Sequence, residues 1–178
     1  MKLLELTTDD LPLYESVYLD PRMLKHLGGV PFQRERLPQK LARDVESIRR
    51  GAAWIFKIIP DEEEERAAGS VCIWESGIHD EPMNEIGWSI LPEFQRQGLA
   101  TKAVRALLEQ ARESGRWDII HAFPSVTNTA SNAICRKMGF TLLEEVDLEW
   151  SGHKLRCNHW LIDLSQAPLG RDHRSPGR

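Results

Sequence analysis

The chain has 178 residues, long enough for one domain with a buried core, and its 23 basic against 27 acidic side chains leave a formal net charge of −4. That balance excludes binding to nucleic acid through phosphate neutralisation, which needs surplus Lys and Arg. Three widely spaced cysteines, an amino terminus ("MKLLELTTDD") that turns acidic too early for a secretory leader, and apolar runs well short of ~20 residues argue against a disulfide framework, a zinc site, a leader and a membrane span. The expectation is a soluble, cytoplasmic protein.

"KLLEL" predicts a first strand, and "TTDD" supplies capping oxygens for the helix that follows. Residues 9 to 50 read as mostly helical, broken near "LDP" and at "HLGGVPF", with an amphipathic helix from Leu37 to Arg50. "AAWIFKII" and "SVCIWES" predict two strands bracketing the acidic run Glu62 to Glu65, a solvated loop. "NEIGWSIL" predicts a further strand. A helix from Leu99 to Ser114 follows, in which Ala100, Val104 and Leu108, and Ala103, Leu107 and Ala111, recur at i, i+4 on one buried face. "WDIIHAF" predicts a strand and "NTASNAICRKMGF" a helix stopped by Gly139. "TLLEEVDLEW" and "KLRCNHWLIDL" form a closing hairpin around "SGH". The domain is expected to span residues 1–167, with residues 168–178 a disordered tail. One strand–helix–strand crossover among hairpins implies an α/β fold with a mixed sheet and helices on both faces.

The stretch "LPEFQRQGLATKAV" sets Gln95, Arg96, Gln97 and Gly98 where a helix begins, although glycine destabilises helices. A helix start carries unpaired N–H groups and about half a positive charge, which suits phosphate. Gly98 lets a diphosphate approach the backbone, with Arg96 adding charge and Thr101 a hydroxyl. Leu99 occupies the place of the P-loop lysine, and the extra glycines of a dinucleotide fingerprint are missing.

That stretch, followed downstream by "NTASNAICRKMGF", resembles the GNAT superfamily of acyl-CoA-dependent N-acyltransferases. Gln95-Arg96-Gln97-Gly98-Leu99-Ala100 matches the family's Q/R-x-x-G-x-G/A turn, and Lys137-Met138-Gly139-Phe140 matches its closing signature. Asn128 and Ser131, spaced Asn-x-x-Ser, resemble the branch containing the ribosomal-protein N-terminal amino-acid acetyltransferases. The resemblance implies a mostly antiparallel sheet with a splayed parallel strand pair, acetyl-CoA as co-substrate, and no metal. It implies that Ile90 and Leu91 bind the pantetheine arm through their backbone, that Gln95, Arg96, Gln97, Gly98, Leu99, Ala100 and Thr101 hold the pyrophosphate, and that Asn128 contacts the donor. Asn128 also suits a helix N-cap.

Acyl transfer requires the amine to lose a proton, the oxyanion to meet donors and the thiolate, whose acid has a pKa of about 8.5, to be protonated or stabilised. Proximity supplies much of the remainder. Glu85, at the start of the fourth strand, is the leading base candidate. His79, His121, Asp147, Glu149 and His153 are weaker ones. Many family members carry tyrosine four residues before the signature glycine, where this chain has Cys135; Ser131 is preferred to Cys135 as the acid. The pair His153 and His159 lacks a third ligand for a metal. The six tryptophans suit core packing or a homodimer contact. The expected acceptor is a protein N-terminus or a small-molecule amine. A CoA-binding module without catalysis, favoured by the missing tyrosine, is the alternative.

Overall fold

β1 (Lys2–Glu5) opens the chain and pairs antiparallel with β2 (Ala53–Ile59), although three helices intervene. These are α1 (Leu11–Tyr18), the single turn α2 (Pro21–Leu24) and α3 (Leu37–Arg49). The computed structural model describes residues 1–60, 66–78, 81–150 and 152–166, so the acidic run at 62–65, His79 and the tail from 168 lie outside the described residues. β3 (Gly69–Ile78) and β4 (Glu81–Ile90) form a long antiparallel pair. α4 (Leu99–Ser114), β5 (Ile119–Ala122) and α5 (Thr129–Met138) lead to the hairpin of β6 (Thr141–Trp150) and β7 (His153–Asp163).

The seven strands lie in the order β1-β2-β3-β4-β5-β7-β6, with β4 and β5 the one parallel pair among antiparallel neighbours. This is the expected α/β mixed sheet. Alternation sends successive side chains to opposite faces. Val71, Ile73, Ile86 and Ile90 point to one face, where they pack with Val104, Leu107 and Leu108 of α4 and Cys135 and Met138 of α5. Leu107 and Leu108 are fully buried, and each such side chain contributes about 1.5–3 kcal/mol of burial free energy. The opposite face carries Ile55, against which Leu13, Tyr14 and Val17 of α1 and Leu41 and Val45 of α3 gather. Phe94 touches both clusters, at the end where β4 turns into α4.

β5 is shorter than the "WDIIHAF" segment suggested. Trp117 is buried in the core but precedes the strand, and Pro124, lacking an N–H, cannot extend a parallel ladder. Its departure from β4 opens the sheet.

Candidate functional site

The ladder between β4 and β5 holds one register pair, Glu85 opposite His121. Beyond it the strands follow different partners. β4 stays with β3 as far as Ile90 opposite Gly69. The chain after Ala122 stays with β7: the Asn158 N–H donates to the Pro124 carbonyl at 2.9 Å, and the Val126 N–H to the Arg156 carbonyl at 3.0 Å. A gap therefore opens between β4 and the β5–α5 loop. The Leu91 N–H donates to the Ala68 carbonyl at 2.8 Å, so the peptide groups of alternate residues face β3, and those of Trp88 and Ile90 face the gap. The Leu91 donor, expected at the pantetheine arm, is thus engaged within the sheet, while the backbone of Trp88 faces the gap. Ile90 keeps its expected place, with its carbonyl accepting from Gln95 Nε2 at 2.9 Å.

At the end of that gap α4 begins. Gly98 is its N-cap in the left-handed region (φ +74°), and no side chain caps the helix. Among the described residues, none accepts the N–H groups of Gly98, Leu99, Ala100 and Thr101; the first bond of the helix is Lys102 N–H to the Gly98 carbonyl at 3.1 Å. These are the orphan donors of a helix N-terminus, left open. A Cβ built on Gly98 would meet nothing within 4 Å, so the glycine answers to backbone conformation and not to packing. Arg96, also left-handed at φ +63°, curls the approach, a conformation that costs a non-glycine residue about 1 kcal/mol or more. Alternating left-handed residues turn successive N–H groups into a concave anion-binding surface. Gln97 Nε2 reaches the Glu93 carbonyl at 3.4 Å, and Glu93 pairs with Arg66, so this turn's acidic neighbour is already engaged. No acidic residue stands in the first turn of α4.

α5 starts across the gap. Asn128 is its N-cap, with Oδ1 accepting from the Ser131 N–H at 3.1 Å. The cap reading is thus realised, and the Asn128 Nδ2 donors are not used by it. Ser131 is half-buried, whereas Cys135, one turn on, is fully buried in the core. Burial pushes the Cys135 thiol up to about 12, which fits a packing side chain better than a proton donor.

Asn132 went unnoticed in the sequence, yet it organises this corner. It is 3% exposed, and its Nδ2 donates to the carbonyls of Ser125 (2.9 Å) and Asn128 (2.8 Å). Its Oδ1 accepts from Asn158 Nδ2 (2.7 Å) and Trp160 Nε1 (2.9 Å). Both donors and both lone pairs are satisfied, locking the β5–α5 loop to β7 and holding it away from β4.

Glu85 shares its face of β4 with Gly87, over which the Trp74 ring packs so closely that a Cβ there would sit 3.0 Å from the indole. Burial raises the Glu85 carboxyl to about 7; the nearby Ser76 hydroxyl pulls the other way too weakly to offset this. On the same face His121 Nδ1 lies 2.8 Å from His159 Nε2, and the Phe123 ring stacks on both imidazoles. Burial lowers both histidines; His159 lowers His121 further, while Glu144 partly restores His159. Of the other base candidates, Asp147 is exposed and paired with Arg156, while Glu149 and His153 are exposed on the hairpin. The loop between α2 and α3 leans over this face, with Gly28 against His153 and His26 Nδ1 3.2 Å from Thr127 Oγ1. Among the described residues, no group of three or more His, Cys, Asp or Glu side chains is placed to hold a metal, and no helix is long and apolar enough to cross a membrane.

A family model described as an acetyltransferase (GNAT) domain matches residues 1–141. Among solved structures, the ribosomal L7/L12 alpha-N-protein acetyltransferase RimL in complex with coenzyme A superposes with a TM-score of 0.75 at 21% identity, over 90% of this chain and 92% of that one. Spermidine N-acetyltransferase from Vibrio cholerae, with CoA and spermine, gives a TM-score of 0.75 at 19% identity over 93% and 96%. The microcin C7 self-immunity acetyltransferase MccE, with acetyl-CoA and AMP, gives 0.73 at 18% over 90% and 91%. At these identities the likeness establishes the fold. A comparison with curated protein sequences returns no match.

Proposed function

The chain belongs to the acetyltransferase (GNAT) family, and from that premise we propose that it transfers an acetyl group from acetyl-CoA to a primary amine by direct attack. The observation that carries the reading is the open N-terminus of α4 beside the gap between β4 and β5. Four backbone donors and the helix dipole favour the diphosphate of CoA there, with Arg96 adjacent. The pantetheine arm lies along β4, where the Trp88 peptide groups and the Ile90 N–H are available. Asn128 turns its amide donors to the same arm while its oxygen caps α5.

Glu85 is the base. A carboxyl near pH 7 takes a proton from an ammonium far better than an ordinary glutamate does, because proton affinity and ionised fraction are balanced there. The resulting free amine attacks the thioester carbon, the carbon–sulfur bond breaks, and the amine's second proton ends on the CoA sulfur. Ser131, half-buried in the first turn of α5, passes that proton on in preference to the buried Cys135, its hydroxyl giving a proton to the sulfur as it takes the amine's. The acceptor is a protein N-terminus or a small amine, the two kinds named for the ribosomal-protein and spermidine enzymes that share the fold. Residues 1–167 act as one cytoplasmic domain in this reading.

The test is calorimetric titration with CoA together with thiol release across a panel of amines and N-terminal peptides. Micromolar CoA binding with turnover of at least one acceptor supports the proposal. CoA binding without turnover on any of them would favour the non-catalytic binding module, and no CoA binding would remove the reading altogether.

A further inference from the structure

Four acid–base side chains lie in series across four neighbouring strands. Glu85 on β4 is the register partner of His121 on β5, so the two side chains leave the same face of neighbouring strands, which run about 4.8 Å apart. His121 Nδ1 is 2.8 Å from His159 Nε2 on β7. His159 is in turn the register partner of Glu144 on β6, with His159 Nδ1 3.9 Å from Glu144 Oε1. Exposure rises along the series: the His159 side chain is 14% exposed and that of Glu144 67%. Phe123 lies nearly parallel to both imidazoles, at 4.6 Å from His159 and 6.3 Å from His121, and fixes the planes of the rings.

We propose that His121 and His159 are a proton relay, carrying the proton that Glu85 takes from the acceptor out to solvent at Glu144. This rests on the reading of Glu85 as the base. An ammonium acceptor and acetyl-CoA give an amide, CoA thiol and one free proton, so each turnover must export a proton from a buried carboxyl. In the relay one proton enters at His121, the proton shared between Nδ1 and Nε2 shifts to His159, and one leaves from His159 Nδ1 to Glu144. The ring charges end unchanged, and exchange with water restores the tautomers. The groups facing the pair are Glu85 from β4, Glu144 from β6 and Cys157 from β7, with His26 and His153 at its margin. Burial lowers both imidazoles, which favours the neutral rings a relay requires.

The test compares His121→Gln and His159→Gln with the wild type on two acceptors: one whose amine has a pKa well above the assay pH, and one well below it that arrives neutral. A neutral amine releases no net proton. The relay predicts a fall in kcat of about tenfold on the protonated acceptor, little change on the neutral one, an unchanged KM for acetyl-CoA, and partial rescue by added imidazole. Equal losses on both acceptors, or no loss on either, would overturn it. Should the variants fold poorly, the wild type alone decides: the solvent deuterium isotope effect on kcat must be larger for the protonated acceptor, and equal effects contradict the relay. Wild-type turnover that depends on Glu85 but not on the histidines defeats the relay alone. No turnover by CoA-bound wild type on any amine defeats the transferase reading and the relay with it.

Discussion

α4 and α5 begin on either side of the same gap, yet their N-termini are built in opposite ways. α5 caps itself: Asn128 occupies the Ser131 N–H, and Asn132 ties the preceding loop to β7. α4 begins at a left-handed glycine, has no cap, and leaves four N–H groups without an acceptor among the described residues. A missing cap typically sacrifices about 1 kcal/mol, which a chain optimised for stability alone recovers with a single Ser or Asp. The contrast separates a helix end that closes the fold from one kept open for an anion.

The strongest way to break the contrast is to close the open end. Gly98→Asp puts a carboxylate, in a residue type that tolerates the left-handed region, against the four donors. CoA affinity should fall by roughly 10²–10³-fold, since a like charge facing the diphosphate costs several kcal/mol, while the melting temperature holds or rises. Titration calorimetry and thermal melts read the two effects separately. Glu85→Gln sharpens the division between holding the donor and using it. The rate should drop about 100-fold above pH 7, where the wild-type carboxylate is ionised, with CoA affinity retained. Its effect on stability has the opposite sign. The folded carboxyl titrates near 7 against an ordinary 4.5, so its stabilising contribution is complete below pH 4.5 and lost as pH rises through 7. Glutamine has no such loss, and the variant should be more stable by about 3 kcal/mol at pH 8, as denaturant titration would measure.

On the closed side the effects should be structural. Asn132→Ala strands the Trp160 and Asn158 donors and removes the second donor from the Ser125 and Asn128 carbonyls, and should destabilise the fold by about 2–4 kcal/mol. Asn128→Ala, losing one cap, should cost about 1 kcal/mol. A larger loss of stability from Asn128→Ala than from Asn132→Ala, in matched melts, would show that the cap and not the buried amide holds this corner.

The open turn was legible in the sequence because its parts are contiguous: Gln95 to Ala100 form one loop, and the buried face of α4 follows from helical periodicity alone. Five of the six residues assigned to that face (Ala103, Val104, Leu107, Leu108 and Ala111) are buried as their spacing implies, while Ala100 at the rim is half-buried. What spacing did not carry was direction and long-range contact. Which peptide groups of β4 face the gap depends on the Leu91 bond to Ala68, which no local pattern encodes. His159 and Phe123 acquire meaning only through His121, 38 residues from His159 in sequence and adjacent because β7 is inserted between β5 and β6. Asn132 reads locally as an ordinary polar helix residue; its partners come from β7.

Backbone amide resonances followed during titration with CoA test the central claim most directly. The account predicts large shifts at Gly98, Leu99, Ala100 and Thr101, reproduced in part by inorganic pyrophosphate, with the Leu91 and Ser131 amides, already bonded within the protein, moving far less. Saturable CoA binding that leaves those four amides unmoved would contradict it.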